Sequence, residues 1–294
     1  MAADPMPAAE VAVDEALVRQ LLSDQHPDLE GRSIGLVGEG WDNFTFRLGD
    51  DLSVRMPRRV MAAPLVVNEQ RWLPVLAPRL PLAVPVPVRV GEPGRGYPWT
   101  WSVCPWLPGD IATGPLRSST DAAVALGEFI AALAAPAPTD APSNPYRGVP
   151  LAERHDVTVA RIDQLSKVVD ALRLRELWDD LCATPPWDGP PVWLHGDLHP
   201  ANLLATDGVL SAVIDFGDIT GGDPSTDLAG GWMLFEGDDL ASFRDAAGGC
   251  DDDTWRRARG WALVHSLACL GSSADNATME AIGHRTLAAV LAAD

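Results

Sequence analysis

The fold turns on WLHGDLHPANLL, Trp193–Leu204, and on VIDFGD, Val213–Asp218, which follows it. The first stretch sets two histidines, an aspartate and an asparagine between apolar flanks. Taken alone it allows three readings. His195 and His199 could form a metal pair around a carboxylate, as in a metal-dependent hydrolase. The stretch could be a buried polar turn. It could also be a phosphotransfer loop with Asp197 aimed at an acceptor hydroxyl.

The neighbouring residues separate these readings. Asp197 and Asn202 stand at the spacing D-x-x-x-x-N, and Asp215 ends an apolar strand just ahead of Gly217. Phosphoryl transfer from a nucleotide needs this combination: a group for the acceptor hydroxyl and oxygen ligands for Mg²⁺. The remaining histidines, His26, His155, His265 and His284, are scattered and complete no second metal centre.

Outward from the loop, the chain divides in two. Val13–Ser23 has the pattern of an amphipathic helix. Ser33–Val37, Asn43–Leu48 and Leu52–Met56 have strand character and are joined by GEGWD and GDD turns. Pro64–Ala77 is a predicted helix, and PVPVRVG and WTWSVC are two further predicted strands. PWLPGD, Pro105–Asp110, breaks the pattern as a hinge. Beyond it, Thr120–Ala135 and Leu151–Cys182 are expected helices, joined by the Pro-rich connector APAPTDAPSNP. From Ser225 the chain is expected to be helical. The expectation is an α+β chain with a β-rich lobe over 1–105, a hinge at about 105–110 and a helical lobe over 106–294.

HGDLHPANLL, VIDFGD and GDPSTDLA, in that order, resemble the aminoglycoside phosphotransferase family, a branch of the protein-kinase-like fold that also has macrolide, choline, homoserine and fructosamine kinases among its kin. The resemblance runs over most of the chain. It implies a two-lobed kinase-like fold, with the smaller lobe binding ATP or GTP as phosphoryl donor. It implies that Asp197 is the catalytic base or orients the acceptor hydroxyl, and that Asn202 and Asp215 hold Mg²⁺. His195 would brace the loop. Asp227 would accept hydrogen bonds from the loop backbone, a role compatible with a plain helix N-cap.

On the nucleotide side, Gly38 and Gly40 lie with Asn43 between two strands, where a hairpin can lay main-chain N–H groups over phosphates. No G-K-[ST] follows, so this is not a Walker A loop. The third strand of such a lobe ordinarily carries a lysine. Here Arg55 stands there, always charged and with a planar fork. Glu69 on the following helix is its expected partner, against the alternative of a surface glutamate. Arg58 and Arg59 are read as solvated loop charges. The purine is expected against Ser102–Trp106; because Pro105 lacks an N–H, Cys104 or Trp106 is expected to supply the donor.

The net charge of −19 is uneven. Residues 1–105 hold 13 acidic against 10 basic side chains, and residues 106–294 hold 28 against 12. This sign argues against a nucleic-acid partner. Four dispersed cysteines fit a reducing cytosol, and neither a leader peptide nor a membrane span is expected, so a cytoplasmic protein is anticipated. In resistance kinases of the family, acidic residues draw in cationic aminoglycosides. Glu236 and Asp238, with a wall at Trp232, are candidates for that task here. Asp251–Asp253 are read instead as complementing a helix N-terminus, and Trp232, Trp255 and Trp261 singly as core. The acceptor is expected to be a cationic or hydroxylated small molecule, an aminoglycoside or similar antibiotic in the first place. A macrolide, a cyclic-peptide antibiotic or a metabolite alcohol is the alternative; a nucleotide-binding pseudoenzyme ranks lower.

Overall fold

The computed structural model of the protein describes residues 6–114, 116–272 and 275–293. Helix α1 (Glu15–Gln25) is capped by Asp14, whose carboxylate accepts the Leu17 N–H. Strands β1 (Ile34–Glu39), β2 (Asn43–Leu48) and β3 (Leu52–Pro57) form an antiparallel meander, and α2 (Ala63–Leu76) follows. Strands β4 (Arg89–Gly91) and β5 (Trp101–Pro105) complete a five-stranded sheet of order β1-β2-β3-β5-β4. The expected strand over PVPVRVG is shortened to Arg89–Gly91, because Pro85 and Pro87 cannot donate to a ladder. One core lies wholly within this part of the chain, with Val18, Leu21, Phe46, Val54, Met56 and Trp101 closely packed.

The large lobe opens with β6 (Asp110–Ile111) and α3 (Ser119–Leu133), which Ser118 caps. Residues 134–150 carry no helix and lead to α4 (His155–Gln164) and α5 (Ala171–Cys182). The single helix expected over Leu151–Cys182 is therefore divided. Asp170 ends the interruption by accepting the Arg173 N–H, which starts α5 as a separate helix.

Strand β7 (Val192–Leu194) precedes the quoted loop, and β8 (Leu203–Thr206) and β9 (Val209–Val213) leave it as a hairpin. Their turn uses Asp207 and Gly208, both at positive φ, as a two-residue hairpin requires. Strand β10 (Thr220–Gly222) pairs with β7, and β6 pairs with β8. The chain then continues through α6 (Ser225–Leu234), α7 (Gly237–Ala246), α8 (Asp252–Gly271) and α9 (Ala277–Ala292). A second, larger core draws α3, α6 and α8 together with Trp72, Leu73 and Leu76 of α2. The Trp72 and Trp193 rings meet at 4.7 Å, so α2 joins the sheet to the loop that follows β7.

Candidate active site

Strand β3 is buried on both faces. Val54 and Met56 enter the small core, so alternation turns Arg55 the other way. On α2, Val66, Glu69, Leu73 and Leu76 follow helical spacing on one buried stripe, and Glu69 is only 1% exposed. The surface-glutamate alternative is thereby excluded. Arg55 donates to Glu69 at 2.9 Å and to Asp215 at 2.6 Å. Burial raises the Glu69 carboxyl, and the Arg55 guanidinium opposes that rise.

Asp215 sits at φ +64, a left-handed backbone that a non-glycine residue adopts with strain and that Asp and Asn tolerate best. Its side chain is half exposed, and Oδ1 is held by Arg55.

The loop before β8 is tied down residue by residue. Asp227 accepts the His195 N–H at 2.6 Å and the Gly196 N–H at 2.9 Å. The carboxylate lies in the first turn of α6, whose N-cap is Pro224, so the plain N-cap reading does not hold. Gly196 has φ +87, and a Cβ there would lie 2.4 Å from the Asp218 carbonyl oxygen, so only glycine fits. The His195 ring accepts the Asp197 N–H at Nδ1, and its Nε2 lies 2.9 Å from the Ile214 carbonyl and donates to it. Both ring nitrogens are thus engaged, which removes His195 from any metal pair. Asp227→Ala is expected to strip two buried N–H groups of their acceptor and cost about 2–6 kcal/mol of stability. Urea unfolding measures this; a loss under about 1 kcal/mol would refute the brace.

Asn202 donates its amide to the Asp197 carbonyl at 2.9 Å and approaches His199 Nε2 at 3.4 Å. With Nδ2 so employed, Oδ1 is the atom left to coordinate. Asn202 Oδ1 and the half-exposed Asp215 carboxylate are hard oxygen donors, the type that Mg²⁺ takes alongside water and phosphate oxygens. The residues therefore fit that ion.

Asp197 faces a group that sequence reasoning missed. Arg147, two residues beyond the Pro-rich connector, donates to its Oδ1 at 2.8 Å and stands 3.9 Å from Asp218. His199 Nε2 is 3.4 Å from Asp197 Oδ2, and His265 Nδ1 of α8 is 3.8 Å from Oδ1. Burial would raise the Asp197 carboxyl, but Arg147, with His199 and His265 behind it, holds it well below the usual carboxylate range. Burial, then the Arg147 charge, pulls His265 down to about 3, so that ring is neutral near pH 7. This connection is stitched in place: Gly148 donates to Thr226 Oγ1, and its carbonyl accepts the Asp223 N–H. A connection this long without helix or strand is itself the signal that could have flagged Arg147.

On the nucleotide side, Gly38 falls at a β1–β2 irregularity, and the Gly40 N–H closes the turn onto the Asn43 carbonyl at 2.8 Å. Arg58 and Arg59 are not solvated loop charges. Arg58 is 4% exposed and donates to the Gly40 carbonyl, and Arg59 pairs with Asp42 at 2.6 Å, so both pin this turn. The donors expected at the hinge also need correction. The Trp106 N–H is taken by the Asp51 carbonyl at 2.8 Å. Residues two apart in an antiparallel ladder face the same neighbour, so Cys104, opposite Ser53, also turns its amide towards β3.

The acidic candidates lie at helix starts. Glu236 stands at the N-terminal boundary of α7 without a capping hydrogen bond from its side chain, and Asp238 lies exposed in the first turn, while neighbouring Asp239 accepts the Thr120 hydroxyl. Asp251 caps α8 by accepting the Thr254 N–H, as expected. Trp232, Trp255 and Trp261 are buried in the large core, so Trp232 is core and not an exposed wall. Among the described residues no helix is long and apolar enough to cross a membrane.

The sequence profile of the phosphotransferase enzyme family matches residues 33–261. No curated protein matches the sequence. Among solved structures, the GDP complex of wild-type aminoglycoside 2'-phosphotransferase-IIIa superposes with a TM-score of 0.68 at 20% identity, over 95% of this chain and 99% of that one. The GDP and kanamycin complex of APH(2")-IIIa gives 0.68 at 19% identity, over 94% and 99%. Macrolide 2'-phosphotransferase MphH from Brachybacterium faecium, an apoenzyme, gives 0.61 at 24% identity, over 92% and 97%.

Proposed function

Because the chain belongs to the phosphotransferase enzyme family, we propose that it moves the γ-phosphoryl group of ATP or GTP to a hydroxyl of a small molecule with the help of Mg²⁺, in the cytoplasm. The observation that carries this reading is the Arg55 bridge, which spans from Glu69 to Asp215 and sets a phosphate-gripping cation beside a metal-binding carboxylate. The sheet of residues 1–105 takes the nucleotide, and the Gly38–Asn43 turn covers its phosphates. Asn202 and Asp215 hold Mg²⁺, which when bound neutralises charge on the phosphate oxygens.

Asp197 receives the acceptor hydroxyl. Its depressed pKa makes it a weak base in the resting state, so its first task is orientation. As the acceptor oxygen forms its bond to Pγ and the bond from Pγ to the bridging oxygen breaks, the nucleoside diphosphate leaves with that electron pair. The hydroxyl becomes acidic in the process, and its proton passes late to Asp197. His195, Gly196 and Asp227 keep the loop from shifting during this step.

The acceptor is a hydroxylated small molecule. The aminoglycosides and macrolides named for the structural neighbours head the panel to test. Release of ADP or GDP should require both Mg²⁺ and an acceptor; release that ignores both would count against phosphotransfer. Arg55→Met is expected to raise the nucleotide KM. An unchanged KM would move the phosphate grip away from Arg55.

A further inference from the structure

We infer that Arg147 is a positioning residue for phosphoryl transfer: it fixes the Asp197 carboxylate so that one oxygen stays turned to the acceptor hydroxyl. This rests on the proposed role of Asp197. An aspartate carboxylate rotates about χ2 in a broad, two-fold well, so its oxygens keep a direction only when something holds them. Arg147 donates from Nη2 to Oδ1 at 2.8 Å, the length of a charge-assisted hydrogen bond. That leaves Oδ2, which His199 Nε2 approaches at 3.4 Å, to meet the hydroxyl. The Arg147 side chain is 20% exposed and that of Asp197 26%, so the pair is open to solvent.

The segment over 134–150 is held in place without this side chain. The Trp193 N–H donates to the Ala135 carbonyl and the Ala137 N–H to that of Pro191, and the Pro142 carbonyl accepts the Gly221 N–H and the Thr220 hydroxyl. Gly148 has φ +69, and its carbonyl oxygen would lie 2.4 Å from a Cβ on Gly222. Two glycines thus let the segment close on β10, and that contact delivers residue 147 to the loop after β7. Asp218 has a partner of its own: Asn144 donates to its Oδ1 at 2.6 Å, whereas Arg147 stands 3.9 Å away. Arg147 Nε has no hydrogen-bond partner. Among the described residues, Asp197 is the carboxylate to which this guanidinium donates.

The Arg257–Asp223 pair, beside the same segment, is a framework ion pair by contrast. Both of its side chains are 3% exposed, and Arg257 Nε donates to Asp223 at 2.8 Å. The other two nitrogens donate to the Pro185 carbonyl and the Thr254 hydroxyl, so the whole guanidinium is engaged. Arg147 differs on each count: it is partly open, leaves Nε unpaired and ends on a residue of the cleft. Removing its side chain should therefore change where Asp197 points more than whether the chain folds.

Two measurements test this. In crystals of the unaltered protein the Asp197 carboxylate should hold a single χ2, and in Arg147→Gln it should turn or split; the same orientation in both overturns the inference, and no acceptor is needed to see it. Turnover is then read as ADP or GDP release from Mg²⁺·ATP or Mg²⁺·GTP, with kanamycin and erythromycin as acceptors. Arg147→Gln is expected to lower kcat by about ten- to a hundredfold, the scale of a misplaced group, while the nucleotide KM stays within about twofold. Placed on Asp197→Asn, the same substitution should lower kcat by less than about twofold further, since the oxygen it positions is already gone. A kcat within about twofold of the unaltered protein, or an equal fall on the Asp197→Asn background, overturns the inference. Arg147→Lys keeps the charge without the fork; it should retain more activity than Arg147→Gln, and it carries the same comparisons if Arg147→Gln does not fold. The reading of Asp197 fails separately: full transfer by Asp197→Asn removes it whatever orientation its carboxylate holds.

Discussion

Asp197→Asn is expected to lower kcat by about 10²–10⁴-fold, the range for losing a general base, with nucleotide affinity retained. The substitution keeps the size of the side chain and the backbone carbonyl to which Asn202 donates. It removes the charge that Arg147 and His199 face and the oxygen able to receive the hydroxyl proton. Nothing in the Arg55–Glu69–Asp215 arrangement is touched. Steady-state turnover and ADP affinity, measured side by side, decide the matter. Undiminished turnover would remove Asp197 from the chemistry, and a parallel loss of ADP affinity would show that the loop itself had shifted.

Asp215→Ala is expected to abolish the part of nucleotide affinity that depends on Mg²⁺. Arg55 would keep Glu69 and lose its second carboxylate, so a residual metal-independent affinity is expected to survive. Asp215→Asn is the companion variant, since asparagine also tolerates the left-handed backbone at this position. It separates loss of charge from backbone strain. Nucleotide titrations with and without Mg²⁺ check both variants. If Mg²⁺ still tightens nucleotide binding in Asp215→Ala, the metal is held elsewhere.

Much of this molecule was legible in its sequence where the signal is local. The meander of β1–β3 with its GEGWD and GDD turns and helix α2 each follow from periodicity or turn chemistry over a few residues. The ordered motifs placed Asp197, Asn202 and Asp215 on one strand-loop-strand segment, and the structure joins Asp197 to Asn202 directly and Asp215 to Arg55.

What stayed hidden depends on distance. The Pro-rich connector reads as a spacer, because nothing in its composition says that Arg147, just beyond it, will reach a carboxylate fifty positions on. The split between α4 and α5 hinges on Asp170, which the apolar pattern on either side overrides. The hinge donors failed for a different reason. Pro105 was legible as a missing N–H, but which side of the strand each amide faces is set by pairing with β3, a register that sequence alone does not state. Acidic residues of the large lobe suggested attraction of a cation. Net charge carries no positions, and these side chains went to helix starts.

The bridge from Arg55 to Asp215 has a consequence during synthesis. The sheet and the core behind it are complete once residue 105 has left the ribosome, since every member of that core lies between Val18 and Val103. Glu69 has by then been made, but Asp215, 160 positions from Arg55, is still to come. Closing so large a loop costs entropy before it returns any contact. The first lobe alone therefore offers the Arg55 guanidinium one of its two carboxylates, and arrival of the later strand-loop-strand segment supplies the other. Docking of the two lobes and closure of the Arg55–Asp215 pair are thus coupled.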